Sequence, residues 1–292
     1  MSLHPGIGAL TLERLTSKDL IEAFAFLDRD PVVNVYLLAV LLRDGLAPTR
    51  DEFWVARRDG RPVALIMLGT GSGSVLPVGA DRAALERLAA HVQQRLPSLP
   101  RRFQVIGRRV ALAPFLERFA SEGLAPRLHR DQTYMGLARG DLPRIDALPG
   151  LRLARPEDYE LLFESGARLR SEELAEDPRV LDPAAYARRV EEECRDGSTF
   201  LLREDDGLRF RASLSARTAD AAQISGVYTP PEHRGRGFAT RGIAEICRRL
   251  FAQSAHACLF VNDFNHPALA VYRRLGFVPL AEWGSAFYDR AR

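Results

Sequence analysis

Apolar and polar positions along this chain fall into a series of blocks that runs twice. Residues 15–27 and 30–45 carry apolar side chains at helical spacing, and residues 155–174 do the same at the start of the second half. Each helical region is followed by two runs with strand character, residues 53–68 and residues 200–214. These fold about Asp59-Gly60 and Asp206-Gly207, dipeptides suited to a tight hairpin turn. A third strand then leads into a long amphipathic helix. In the first half these are residues 74–79 and 80–96. In the second half they are residues 223–229 and 238–251, with a Gly-rich loop between them. Each half closes on strand, helix, strand: residues 103–107, 113–123 and 125–137, then 258–263, 266–276 and 277–289. Helices alternating with strands in this order predict an α/β fold, α+β in character, with a mixed sheet in each half, and the repeated order predicts a duplication. Residues 139–150 place two Pro, two Gly and two Asp between the repeats, which sets the expected domains at 1–145 and 146–292.

Composition narrows the class of protein without changing that picture. The chain has 292 residues, 46% hydrophobic and 27% charged, enough apolar content for two sizeable cores and too much for a disordered chain. A net charge of +3, from 41 basic and 38 acidic residues, gives no reason to expect a nucleic-acid partner or a membrane surface. Lys18 is the single lysine among the basic residues. The three cysteines, Cys194, Cys247 and Cys258, have neither CxxC spacing nor a histidine at ligand spacing, so no metal is expected and reduced thiols in a cytoplasm are. The longest apolar stretch, residues 32–42, is interrupted by Asn34 and Tyr36 and is too short for a bilayer crossing. The first ten residues lack the basic head and apolar run of a signal peptide.

The chemistry is concentrated in residues 223–240. An apolar strand ends at Thr229, Pro230 and Pro231 stop it, and Arg234-Gly235-Arg236-Gly237 leads into a helix from about Phe238. Glycines at a helix start let main-chain amides approach an anion, and the helix dipole and two Arg favour negative charge there. A pyrophosphate fits this pattern. It is not a Walker loop, because no Gly-Lys-Ser/Thr follows, nor a dinucleotide fingerprint, because Thr240 stands where the last Gly belongs. Downstream, Asn265 is placed to cap a helix, Pro267 suits its first turn and Gly276 its end, while Ala268, Tyr272 and Leu275 share one face. Taken singly, RGRG also describes a basic surface turn, and Tyr272 a core aromatic.

Together the two segments resemble the GCN5-related N-acetyltransferase (GNAT) superfamily. Arg234, Gly237 and Ala239 match its Arg/Gln-x-x-Gly-x-Gly/Ala element, and Asn265, Ala268, Tyr272, Gly276 and Phe277 match its later Asn-x-x-Ala-x-x-x-Tyr-x-x-x-Gly-Phe element. The whole chain is similar to tandem members in which a degenerate domain precedes a complete one. The resemblance implies acetyl-CoA as cosubstrate, with main chain at Val227, Tyr228 and Thr229 along the pantetheine arm and amides from Arg234, Gly235, Arg236, Gly237, Phe238, Ala239 and Thr240 about the pyrophosphate. It further implies Asn265 near the pantetheine, the Val227 amide on the thioester carbonyl, and Tyr272 as proton donor to the departing thiolate. A small-molecule or peptide amine is the implied acceptor.

One position departs from the family. Where histone-acetylating relatives carry a glutamate base, eleven residues before Arg234, this chain has Gln223. Glu173, in the early helical region that lines the acceptor cleft in the family, is the candidate in its place, with a solvated surface charge as the competing reading. Glu232 and His233 are expected on the cofactor loop facing solvent. The first half has Val78-Gly79-Ala80-Asp81-Arg82 where RGRG belongs and no Asn-x-x-Ala-x-x-x-Tyr element, so it is expected to shape the acceptor site or the architecture. Three functions stay open on these grounds: an amine N-acetyltransferase; a tandem enzyme of thiol-cofactor biosynthesis or aminoacyl transfer; and a non-catalytic acyl-CoA sensor. The oligomeric state is also open.

Overall fold

The computed structural model describes residues 9–47, 51–205 and 207–290. The chain divides into two compact units, Met1–Thr133 with Ala281–Arg292, and Tyr134–Leu280. The sequence-based division at 145/146 differs in two ways. The strand entering residues 134–138 counts with the second unit, and the last strand of the chain counts with the first. Neither assignment is local, because a strand's neighbours are set by pairing with segments distant in sequence.

The first unit contains β1 (Leu10–Arg14), α1 (Leu20–Leu27), α2 (Val35–Asp44), β2 (Asp51–Arg58), β3 (Arg61–Gly69), β4 (Ser74–Gly79), α3 (Arg82–Arg95), β5 (Arg102–Arg108) and α4 (Arg109–Ser121). Its sheet runs β1-β2-β3-β4-β5 and continues with β12 (Val278–Asp289), whose residues Trp283–Asp289 pair antiparallel with β5. The β2–β3 turn is as expected, with Asp59 and Gly60 both at positive φ, the geometry that a two-residue hairpin requires. One core lies under α3 and α4, around Leu85, Leu88, Phe103, Phe115 and Phe119, and another lies under α1 and α2, around Leu27, Leu38, Leu41 and Leu65.

The second unit starts with residues 134–138 of β6 (Leu128–Ala138) and continues through β7 (Arg152–Leu153), α5 (Tyr159–Leu174), α6 (Pro178–Leu181), α7 (Pro183–Arg195), β8 (Thr199–Glu204), β9 (Gly207–Arg217), β10 (Ala221–Tyr228), α8 (Phe238–Leu250), β11 (His256–Asn262) and α9 (His266–Arg274). Strand order is β6-β11-β10-β9-β8-β7, with β10 and β11 parallel and the β7-β8-β9-β10 run antiparallel. Asp206 of the expected β8–β9 turn lies outside the described residues. The parallel pair needs a crossover, and α8 supplies it. Ile243, Ala244, Ile246, Cys247 and Leu250 face the sheet from α8, and each Ile buried there contributes about 1.5–3 kcal/mol. Gly242 is needed for close approach, since a Cβ there would stand 2.5 Å from Phe210 Cε1. On the other face α5 and α7 enclose Leu162, Ala167, Tyr186, Val190, Leu201 and Tyr228. All three cysteines are buried and unbridged. Among the described residues no helix is long and apolar enough to cross a membrane.

Candidate functional site

The site begins where two parallel strands part. β10 and β11 pair at Ala221–His256, Ala222–Ala257 and Gln223–Cys258, then run on to Tyr228 and Asn262 with no further register between them among the described residues. A bulge accompanies the parting. The β9–β10 register shifts between Ser225 and Tyr228, and Gly226 sits there at φ +59°, a conformation that disfavours a side chain. Strand polar groups left without a neighbour in this way can accept an extended ligand as an added strand.

Below the opening lies the start of α8. Its N-cap is Gly237 at φ +79°, Gly235 precedes it at φ +73°, and no side chain caps the helix. The first-turn amides, which a helix cannot satisfy internally, are therefore directed at whatever occupies the loop, and the helix dipole favours an anion there. The first unit provides the contrast. Its corresponding helix, α3, is capped by the Asp81 carboxylate, which accepts from the Ala84 amide at 3.0 Å and is held by Arg58 at 2.8 Å.

The expected site residues distribute as follows. Val227, Phe238, Ala239, Ala268 and Tyr272 meet in one apolar cluster on the α8–α9 side. Tyr228, next to Val227 on the strand, directs its side chain the opposite way, into the α5–α7 layer, as strand alternation requires. Its hydroxyl and the Thr229 Oγ1 are buried with no hydrogen-bond partner. Asn265 caps α9, accepting from the Ala268 amide at 3.2 Å, and Gly276 ends that helix at φ +88°. The Arg234 side chain is already engaged. Its Nε donates to the Thr229 carbonyl at 3.0 Å, its Nη2 donates to Glu172 at 2.7 Å, and the guanidinium lies 5.9 Å from the centre of the Tyr228 ring. Arg236 stands over the Phe238 ring at 5.5 Å, and the His233 ring lies between Arg236, at 3.4 Å, and Arg209, at 3.0 Å. Glu232 is exposed on the loop.

Tyr272 is the chemically distinctive group. The residue is buried, yet its hydroxyl has no hydrogen bond among the described residues. Burial, reinforced by the negative charge of Glu173, pushes its ionisation well above the usual phenol range, so the hydroxyl stays protonated at any working pH. Glu173 is exposed, in the last turn of α5, within electrostatic reach of that hydroxyl. Gln223 is buried in a network instead. Its Nε2 donates to Ser215 Oγ at 2.8 Å, its Oε1 accepts from Tyr134 at 3.2 Å, and both ends of the amide are thereby used.

Sequence reasoning missed the Glu172–Arg234 pair and the Gly226 bulge. The pair joins residues 62 apart in sequence, which no local pattern displays. The glycine was visible, but its positive φ was not.

Residues 167–277 match the model of the acetyltransferase (GNAT) family. Among solved structures the chain is similar to a Drosophila protein at TM-score 0.68 and 14% identity, covering 96% of this chain and 99% of that one. A GCN5-related N-acetyltransferase from Sphaerobacter thermophilus aligns at TM-score 0.58 and 18% identity, over 97% and 96% of the two chains. A tandem GNAT protein from the clavulanic acid biosynthesis pathway aligns at TM-score 0.53 and 18% identity, over 97% and 99%. At these identities the likeness is one of fold: mixed α/β, with two GNAT-like domains. No curated protein is similar to the chain by sequence.

Proposed function

With residues 167–277 forming a GNAT acetyltransferase domain, we propose that the chain is an acetyl-CoA-dependent N-acetyltransferase, acting on a primary amine by direct attack in a ternary complex. The observation that carries this reading is the parting of β10 and β11 after Gln223 and Cys258, directly above a helix start that no side chain caps. A narrow arm ending in a pyrophosphate matches that geometry, and the residues present fit it.

Acetyl-CoA supplies the thioester. The chain's own groups do the rest. Main chain at Val227 and Thr229 aligns the arm, and amides from Arg234 to Thr240 hold the pyrophosphate without a full side-chain charge, since Arg234 is committed to Glu172 and Thr229. The Val227 amide polarises the acyl carbonyl. Glu173 takes the proton of the attacking amine, the task Gln223 cannot perform. Tyr272 donates a hydrogen bond to the developing thiolate. Its raised pKa makes complete proton transfer to a thiolate uphill, so its contribution is stabilisation of charge in the transition state. An open hydroxyl beside the opening favours catalysis over simple acyl-CoA sensing. Three unbridged thiols suit a reducing cytoplasm.

We assign the cofactor to the second unit alone, because Asp81 puts a carboxylate where a phosphate would have to sit in the first. Titration calorimetry with CoA tests both claims. One site per chain is expected, abolished by Gly237→Glu, which sets a carboxylate against the pyrophosphate. Two equivalent sites, or unchanged affinity in the variant, would overturn the assignment.

A further inference from the structure

A second guanidinium in the α5–α7 layer is left without the partners that the fold gives its neighbour. Arg211 is 4% exposed and, although its Nε too has no hydrogen-bond partner, both its terminal nitrogens are engaged: Nη2 pairs with Glu193, and Nη1 donates to the Leu162 carbonyl and Ser165 Oγ, both at 3.2 Å. Arg170, on α5, is half-buried, its Nε is closed to solvent with no hydrogen-bond partner, and it makes no ion pair among the described residues. Its surroundings add to the imbalance. Arg189 of α7 brings a like charge near it, Tyr186 has its hydroxyl committed to the Phe163 carbonyl at 2.6 Å, and Glu173 and Glu176 act on it only through space. Burial and Arg189 lower its affinity for its proton, yet a guanidinium remains charged at any working pH. An unpaired half-buried charge is unfavourable in the free protein, and an anion is what relieves it.

The location is what makes this functional. Arg170 and Glu173 are three residues apart on α5, which places their Cβ atoms about 5–6 Å apart on one side of the helix. Leu169, between α5 and the bulge, would lie 3.9 Å from a Cβ at Gly226, so this part of α5 covers the strand opening. Glu173 in turn reaches Tyr272 electrostatically. Arg170 therefore stands one helical turn from the point where an amine would meet the thioester.

We propose that the acceptor is a small zwitterion: its amine lies at Glu173 and its anionic group, a carboxylate or a phosphate, docks on the Arg170 guanidinium with Arg189 strengthening the field. This rests on reading the second unit as the transferase, since that reading defines which side of the opening receives the acceptor.

The test is binding, not turnover. Tyrosine against tyramine, and phosphoethanolamine against ethanolamine, are titrated calorimetrically into the full chain with and without saturating CoA. The member bearing the anion should bind at least about tenfold more tightly, as a charge-assisted hydrogen bond implies. The two pairs distinguish carboxylate from phosphate. Arg170→Gln keeps most of the side-chain stem and should reduce the preference to within about twofold, while Arg170→Lys, which keeps the charge and loses the fork, should fall between. Equal or tighter binding of both amines that lack the anion, or a preference that survives Arg170→Gln, would overturn the proposal. Because the readout needs no chemistry, an anion preference without CoA release would remove the transferase reading and leave only the anion site at Arg170 standing. Turnover of tyramine and tyrosine with equal affinity would do the reverse.

Discussion

Replacing Tyr272 by phenylalanine isolates one hydroxyl in a setting where the structure states what that hydroxyl touches. The ring packs in the α8–α9 cluster and meets Phe277 at 5.8 Å between centroids, contacts that phenylalanine preserves. The hydroxyl itself has no protein hydrogen bond among the described residues, so its loss removes no structural partner. The change in folding stability should stay within about 0.5 kcal/mol, where a buried structural hydrogen bond would have made it larger. The effect on rate should be of a different size. A hydrogen bond to a group that becomes charged is worth about 1.5–3 kcal/mol, which corresponds to roughly 10- to 150-fold in kcat. Acetyl-CoA affinity should hardly move, because the interaction exists mainly in the transition state. The assay is thiol release with an accepted amine, alongside CoA titration and thermal melting of both proteins. A kcat within twofold of wild type, with stability unchanged, would show that Tyr272 is a packing residue and that water or another group serves the thiolate.

The other expectations concern stability and stoichiometry. Burial pushes the thiols of Cys247 and Cys258 up to about 12 from an ordinary value of 9.0. A group whose pKa is higher in the folded state contributes its stability in full below the unfolded value and loses it as pH rises. Each thiol should therefore withdraw up to about 1.4 kcal/mol per pH unit between pH 9 and 12, visible in urea unfolding midpoints and reduced in Cys258→Ala. A flat stability profile across that range would refute the burial argument. Asp81→Ala removes both a helix cap and a partner of Arg58, so the first unit should lose about 1–2 kcal/mol in urea unfolding. A second CoA site appearing in that variant would confirm Asp81 as the excluding group and show that the rest of that loop is competent.

What the amino-acid sequence settled by itself was whatever short-range physics decides. Helix and strand periods, the Asp59-Gly60 turn, the Asn265 cap, the Gly276 stop and the glycines before α8 all depend on residues a few positions apart, and all stand where the pattern puts them. The pairing of two sequence elements in order also pointed to the family whose model residues 167–277 match. Contacts between distant segments decided the rest. β10 and β11 part after Gln223 beside a bulge at Gly226 of β10, whose geometry the strand's sequence alone does not display. Residues from Ala281 on count with the first unit, where Trp283–Asp289 pair with β5, although their sequence continues the second repeat. Gln223 reads as a lost catalytic base from its position alone. Only the folded chain surrounds it with Ser215 and Tyr134 and makes it a structural amide. Arg170 and Arg211 look alike as letters and each leaves its Nε without a partner; the difference between them is that Glu193 of α7 reaches a terminal nitrogen of Arg211 and not of Arg170. Desolvation and hydrogen-bond satisfaction are properties of an environment, and that environment is assembled only when segments far apart in sequence are brought together.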